Sequence, residues 1–375
     1  MTDIGFVRSE MVEARPAPMR TSGVAVWVKK NLFATPLDAV LTVLGVAFLL
    51  WVVPPLYGFF LGNAVPPGGT VEQCRMENAG ACWAYIAAEM NFFIYGFYPA
   101  TEFWRPNLVF ALGALLLTPL LIPKVPYKRV NAVLLLIVYP IVSYILLAGG
   151  LFGLRVVPTE QWGGLLVTLI ISVVGITLSF PMGIVLALGR QSNLPIIKTA
   201  CVMFIELIRA VPLISILFMA SVMLPLFMPQ GTTIDKFLRA LVGVTLFTSA
   251  YMAEVVRGGL QAIPRGQYEA AAALGLGYWR RMWFIILPQA LKHVIPGIVN
   301  NFISLFKDTS LVYIVGMRDL LEAVKTKNDS AIEWQSANTA TTGYIFAAMV
   351  FWVFCFGMSR YSIFMERRLN TGYKR

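Results

Sequence analysis

The sequence predicts an all-α, polytopic membrane helix bundle of about eight transmembrane helices. Three observations carry this expectation. Of 375 residues, 58% are hydrophobic and only 13% charged, whereas soluble domains carry about a quarter charged residues. The apolar residues gather in runs near the 20 or so needed to cross a bilayer. The basic residues fall between those runs in the manner of cytoplasmic loops, so the net charge of +11 speaks for orientation and against nucleic-acid binding.

Eight runs qualify: 37–60, 108–123, 132–151, 165–188, 202–228, 237–256, 295–315 and 342–364. The second is short and bounded by Pro106 and Pro123, and the seventh is the most polar. Eight crossings put both ends on one side. With the ends inside, 20 of the 30 Lys and Arg lie on inner segments, including Arg8, Arg15, Arg20, Lys124, Lys374 and Arg375, and eight lie on outer loops. This bias places both termini in the cytoplasm and the loop 257–292 with them. Residues 1–30 lack the apolar core of a signal peptide, so 1–36 reads as a cytoplasmic tail.

Several function classes lose support. The chain has one His, and its four Cys (Cys74, Cys82, Cys201, Cys355) form no CxxC pair, which disfavours a metal site. There is no GxxxxGK[ST] phosphate loop. No nucleophile–base set points to a membrane enzyme, and no internal repeat points to an inverted-repeat secondary transporter.

A boundary falls near 156–162. Residues 37–155 form a three-span extension with few polar residues, and 156–375 form a five-span core containing the inner loop 257–292. The long outer loop 61–107 is rich in aromatic residues, which predicts packing near the membrane surface. An oxidising exterior permits a disulfide between its Cys74 and Cys82; two free thiols are the alternative.

The most informative stretch is 266–289, GQYEAAAALGLGYWRRMWFIILPQ. After Pro264 comes a run of helix formers, Glu269 to Leu274, with Glu269 expected in the first turn, where a carboxylate complements the helix dipole. Gly275 and Gly277 can end a helix in the left-handed conformation. A second helix is expected from Tyr278 to about Pro288. Small side chains let another protein approach closely, and Tyr278, Trp279, Trp283 and Phe284 can anchor the loop to the membrane end of the bundle.

This stretch resembles the EAA loop of binding-protein-dependent ABC importer permeases: E-A-A, three residues, G, nine residues, I, one residue, L-P. Glu269-Ala270-Ala271, Gly275, Ile285 and Leu287-Pro288 meet the pattern without a gap. The resemblance extends to Gly164, Thr168, Leu169, Gly183 and Leu188-Gly189-Arg190, to ELIRAVPL at 206–213, and to KDTSL at 307–311, segments similar to those of the polar amino-acid branch. With its extension, the chain is most similar to the larger permease subunit of general L-amino-acid importers. The resemblance implies a type I ABC importer permease core. It also implies a coupling element at Gly266, Glu269, Ala270, Ala271 and Gly275 that docks on a separate, homodimeric ATPase subunit. A second, different permease, a periplasmic amino-acid-binding protein and a place in the bacterial inner membrane follow as well. No cofactor belongs to this chain; ATP and Mg are bound by the partner ATPase.

Ionisable residues inside a membrane are costly and usually face a bundle interior or a cavity. Glu206 and Arg209 share a face at i,i+3 and can neutralise each other. Glu254 and Arg257 repeat that spacing, one turn from Tyr251. Asn301, Ser304 and Asp308 form one stripe on the seventh span, with Asn300 and Lys307 beside it. A zwitterionic substrate needs acceptors at one end and donors at the other: Asp308 with Asn301 suits an ammonium, and Ser310, Thr309 or Arg209 suits a carboxylate. Helix pairing or gating is the alternative role for Glu206–Arg209 and Glu254–Arg257. Pro212 and Pro296 can free backbone groups nearby.

Overall fold

The computed structural model describes residues 23–122, 125–229 and 234–369. The basic residues Arg8, Arg15, Arg20, Lys124, Lys374 and Arg375 lie outside the described residues, as do most of the expected tail and Pro123. The chain divides into two compact units, up to Ala64 and from Val65 onward, a division that does not coincide with the boundary near Val156.

The first unit holds a short helix, Val24–Leu32, inside the expected tail, and the first span, Pro36–Gly62. Thr35 and Asp38 start that span with a reciprocal capping box: Asp38 N–H donates to Thr35 Oγ1 at 3.1 Å and Thr35 N–H to Asp38 Oδ2 at 3.0 Å. The helix Pro36–Tyr57 buries no residue and is apolar on every side, as lipid-facing helices are.

In the second unit the further spans are Ala100–Leu121, Val130–Ala148, Gly164–Arg190, Lys236–Gln261 and Ala337–Leu369, with two bent pairs, Pro195–Ala210 with Leu213–Leu226 and Tyr278–His293 with Ile295–Val315. The second span begins eight residues before the apolar run at 108. Its outer end carries Arg105, which is buried. Arg105 pairs with Glu102 at 2.8 Å and donates to Arg155 C=O at 2.7 Å. A hydropathy window counts such a residue as solvent-facing, although its charge is satisfied inside.

The fourth and sixth spans, Gly164–Arg190 and Lys236–Gln261, form the spine of the core. Their buried faces are rich in small residues, Ser172, Gly175, Ser179 and Gly183 on one and Ala240, Gly243, Ser249 and Ala250 on the other, which lets membrane helices approach closely. The fifth span is not the continuous helix expected at 202–228. It breaks at Val211–Pro212, and its halves meet at 103°. Pro212 lacks the amide hydrogen that would bond the preceding turn, and it drives Val211 into an extended conformation, φ −109°, ψ 135°. Farther along, Pro225 leaves the Ser221 carbonyl without its helical donor; the buried Arg239 supplies one at 2.5 Å.

The outer loop does more than lie at the membrane surface. It folds into a cap built on the helix Trp83–Tyr95, which packs Tyr85, Ile86 and Phe93 against Leu320, Val324 and Ala347. These partners belong to the helix Leu320–Ser330 and to the eighth span. Glu89 pairs with Lys327 at 2.7 Å, Tyr85 Oη donates to Asn328 Oδ1 at 2.8 Å, and Cys82 N–H donates to Thr342 Oγ1 at 3.0 Å. Cys74 and Cys82 are bridged, with 5.6 Å between their Cα atoms, and both are buried. Beneath the cap, backbone bridges join Gly96 to Trp162, Gly163 to Arg318 and Gly164 to Asp319. A Cβ on Gly96 would sit 2.5 Å from Gly163 Cα, so only glycine allows this crossing.

Asp319 is fully buried at this knot and caps the helix Leu320–Ser330, accepting from Leu321 N–H at 3.2 Å and Glu322 N–H at 3.0 Å. Burial raises its pKa from 3.8 to about 6, against the lowering pull of those amides. The folded chain therefore holds more protons than the unfolded chain across that window, and stability falls as pH rises through it. Asp319→Asn keeps a cap acceptor and removes this slope. Thermal unfolding of the purified chain between about pH 4 and about pH 7 should be less steep for the variant than for the wild type; parallel profiles would exclude a buried carboxyl of this kind.

Candidate functional site

The inner loop seats on the inner ends of the fourth and sixth spans. Pro264 opens a short helix, Arg265–Ala273. Tyr268 Oη donates to Leu260 C=O at 3.3 Å, and Gln289 Nε2 donates to Gln267 Oε1 at 3.3 Å. Ile263, Met282, Ile286, Leu287 and Ala290 complete a buried cluster with Leu188, Ile205, Met252, Val256 and Leu260. The helix then ends as its sequence requires. Leu276 N–H bonds to Ala271 C=O and Gly275 N–H to Ala272 C=O, and Gly275 sits at φ +71°; this is the Schellman arrangement.

Three expectations for this loop change. Glu269 lies in the second turn, because the helix already starts at Arg265, so its carboxylate is too far along to complement the N-terminal dipole. Ala271 is buried against the chain's own core; the exposed face is formed by Gly266, Glu269, Ala270, Ala272 and Ala273. Gly277 has φ −62° and caps the next helix instead of ending the last. That next helix runs on to His293, with a π turn at Met282–Ile286 where Pro288 offers no amide to the Phe284 carbonyl.

Directly above the loop lies a charge cluster. Glu254, on the sixth span, is its hub. Its Oε1 accepts from Arg190 Nη1 at 2.8 Å, and its Oε2 accepts from Arg257 Nη2 at 2.7 Å and Nε at 3.0 Å. Arg209 Nη1 stands 3.5 Å from the same Oε2. Arg190 Nη1 also reaches Glu206 Oε1 at 2.8 Å. Three cations thus share two carboxylates, which leaves one positive charge in excess. The predicted pair Glu254–Arg257 forms, but Glu206 and Arg209 do not neutralise each other; each pairs across helices, because Arg190 and Glu254 come close enough to compete. Arg209 stands in the last helical turn before the 103° break, 5.6 Å above the Tyr251 ring. Its buried Nε has no hydrogen-bond partner. Arg257 Nη1 donates to Gln261 Oε1 at 3.2 Å, so the cluster is bonded to the residue that ends the sixth span, three before Pro264.

Arg190 is the functional residue that sequence reasoning missed. It was counted among the inner basic residues, yet it sits at the last turn of the fourth span and holds two carboxylates. Its place in Leu188-Gly189-Arg190, a segment already similar to the family's, was the available signal.

The second polar group lies on the seventh span. Asp308 is half-buried and ends the helix Ile295–Asp308; it forms no ion pair among the described residues. Asn301 Nδ2 is buried without a partner. Thr309 and Ser310 are committed elsewhere: their hydroxyls donate to Phe306 C=O at 2.8 Å and Lys307 C=O at 3.0 Å. Ser304 and Lys307 are exposed on the same span. No hydrogen bond or ion pair among the described residues joins this group to the Glu254 cluster.

The exposed small-residue helix, its glycine stop and the charge cluster behind it all lie within residues 175–371, which match the family model for the inner membrane component of binding-protein-dependent transport systems. The chain belongs to this family. The permease is 50% identical over 359 residues, 96% of each chain, to the inner membrane amino-acid ABC transporter permease protein YhdY of Escherichia coli. It is 40% identical, across the full length of both, to the glutamate/glutamine/aspartate/asparagine transport system permease protein BztC of Rhodobacter capsulatus. A solved amino-acid ABC transporter with histidines contains a chain 31% identical, covering 55% of this permease and 92% of that chain with a TM-score of 0.48. In such transporters ATP hydrolysis belongs to a separate subunit, and the family implies an ATPase and a binding protein as partners.

Glu254→Gln leaves three arginines without their shared counter-charge and should destabilise the permease by up to about 3 kcal/mol. Glu206 is half-exposed and serves one arginine, so Glu206→Gln should cost about 1 kcal/mol or less. Thermal unfolding of both variants measures the difference; equal losses would remove Glu254 from its central place.

Proposed function

We propose that this permease is one membrane subunit of an ATP-driven importer for L-amino acids in the bacterial inner membrane, with both termini in the cytoplasm. The observation that carries this reading is the exposed, small-residue helix Arg265–Ala273, held at fixed length by Gly275 and seated on the spans that carry Glu254. A homodimeric ATPase that binds ATP and Mg receives Gly266, Glu269 and Ala270 in a groove, while Ala271 keys the helix to its own core and Gly275 ends it.

The geometry offers a route for force. Movement of the loop helix is felt at Leu260 through Tyr268. Arg257 links Gln261 to Glu254, and Glu254 holds Arg190 and Arg209. Arg209 adjoins the break at Val211–Pro212, where a change of angle opens or closes the path. Alternating access needs two such states whose balance the partners bias.

The substrate path runs past Glu206, Arg209, Tyr251, Glu254, Asn301, Asp308, Thr309 and Ser310. Asp308, free of any cation, and Asn301 suit the ammonium. The excess positive charge at Arg209 suits the carboxylate; Thr309 and Ser310 are weaker candidates because their hydroxyls are already bonded. Ser304 and Lys307 are exposed within a span, where lipid contact is costly. They therefore face a second permease, and relatives of this length point to a different chain as that partner.

Deletion of 269–275 should abolish uptake by the reconstituted complex while the permease still inserts, and Glu269→Arg should abolish co-purification of the ATPase. Normal ATP-dependent uptake by the deletion would refute the coupling role. Gly275→Ala places a side chain at positive φ, at a cost of about 1 kcal/mol, and should lower uptake without loss of insertion. Asp308→Ala should change the half-saturating concentration across a panel of amino acids; unchanged kinetics would remove Asp308 from the path.

A further inference from the structure

The helix Tyr278–His293 has no partner on one face, and its position, charge and side chains point to a single occupant. It meets the seventh span at 67° after one connecting residue, Val294. With that span along the bilayer normal, 16 residues at a rise of 1.5 Å and this inclination descend only about 9 Å. The helix therefore lies along the inner boundary, within the depth of the headgroups. One face, with Met282, Ile286, Leu287 and Ala290, is buried in the core. The other exposes Trp279 at 72%, Trp283 at 68% and Phe284 at 71%.

Cationic side chains flank these rings. Arg280 is exposed and Arg281 half-buried, and neither forms an ion pair among the described residues. The Arg281 Nε is buried without a hydrogen-bond partner. No Asp or Glu occurs from Ala270 to Lys307, while Arg280, Arg281 and Lys292 all fall on this helix or its last turn. Exposed tryptophan with unpaired arginine on a helix lying in the interface is the chemistry of an anionic lipid surface: the rings take the headgroup–acyl boundary and the guanidinium groups take phosphate.

We propose that Arg280 and Arg281 bind the phosphate of an anionic phospholipid of the inner leaflet, with Trp279 and Trp283 at its glycerol level. The lipid clamps the start of this helix to the membrane and so steadies the preceding loop helix, whose Tyr268 lies within the field of Arg281. This function of the clamp rests on the proposed coupling role, but the lipid site itself does not.

The assembled complex, delipidated and titrated with phosphatidylglycerol, tests the site by native mass spectrometry. Arg280→Gln/Arg281→Gln should weaken lipid retention about 30-fold, from two cationic contacts at the usual strength near an anionic surface. The ATPase should still co-purify. In nanodiscs, adding phosphatidylglycerol to phosphatidylcholine should raise substrate-stimulated ATP hydrolysis for the wild type and leave the double variant unmoved. Arg280→Gln alone, on an exposed side chain, gives an intermediate loss if the double variant folds poorly. Equal lipid retention by wild type and variants would overturn the proposal. So would displacement of the lipid by inorganic phosphate, which would assign the site to a soluble anion. Loss of the ATPase with lipid retention unchanged would make this face a protein-docking surface instead. Failure of Glu269→Arg to release the ATPase would sink the coupling reading and leave the lipid site standing.

Discussion

The core depends on the carboxylate of Glu254. It is the one acceptor shared by arginines from the ends of the fourth and fifth spans and by Arg257 of its own helix. A charge within a membrane protein is tolerable only with partners, and here the partners lie on three helices. The hub thus fixes the inner ends of those helices relative to one another through electrostatics, where small buried residues alone would allow sliding. The surplus of arginine over carboxylate leaves the hub ready to accept another anion, and the unpartnered Nε of Arg209 stands beside the break in the fifth span.

The two ends of the core are held by different physics. At the inner end, long charged side chains with many rotamers make the contacts, and these can be exchanged at modest cost. At the outer end, glycine backbones meet directly, a buried carboxyl caps a helix, and a disulfide-bridged cap covers the helix Leu320–Ser330. Backbone crossings of this closeness do not slide. The cap belongs to residues outside the five-span core, yet it packs with the core as one compact unit from Val65 onward. In the proposed cycle, motion therefore concentrates at the inner side, where the loop helix is exposed, and the outer rim serves as the fixed frame.

Proline shapes the path between these ends. Pro212 turns the fifth span by 103°, and Pro225 opens a carbonyl that Arg239 then occupies. Pro288 accompanies the π turn that widens the helix leading into the seventh span. Each residue removes one amide hydrogen, and in a membrane each loss must be made good by a neighbour. The irregular segments accordingly lie against other helices and not against lipid alone.

Much of this architecture was legible in the chain itself. Runs of apolar residues mark where lipid is the solvent, and their length follows from the bilayer, so six straight spans and the start of the seventh at Ile295 could be read directly. The glycine at 275 announced the end of the loop helix because a left-handed residue is a local property. What the sequence could not decide was partnership. Glu206 and Arg209 have the spacing of a mutual pair, but helix spacing says only which side chains can meet within a helix, not which are outbid by Arg190 and Glu254 from elsewhere. Ala271 and Ala270 are identical in composition and adjacent, and only packing tells which one faces inward. Likewise the aromatic loop 61–107 became a cap, because Tyr85 and Phe93 found partners more than two hundred residues away, a distance over which no local pattern carries information.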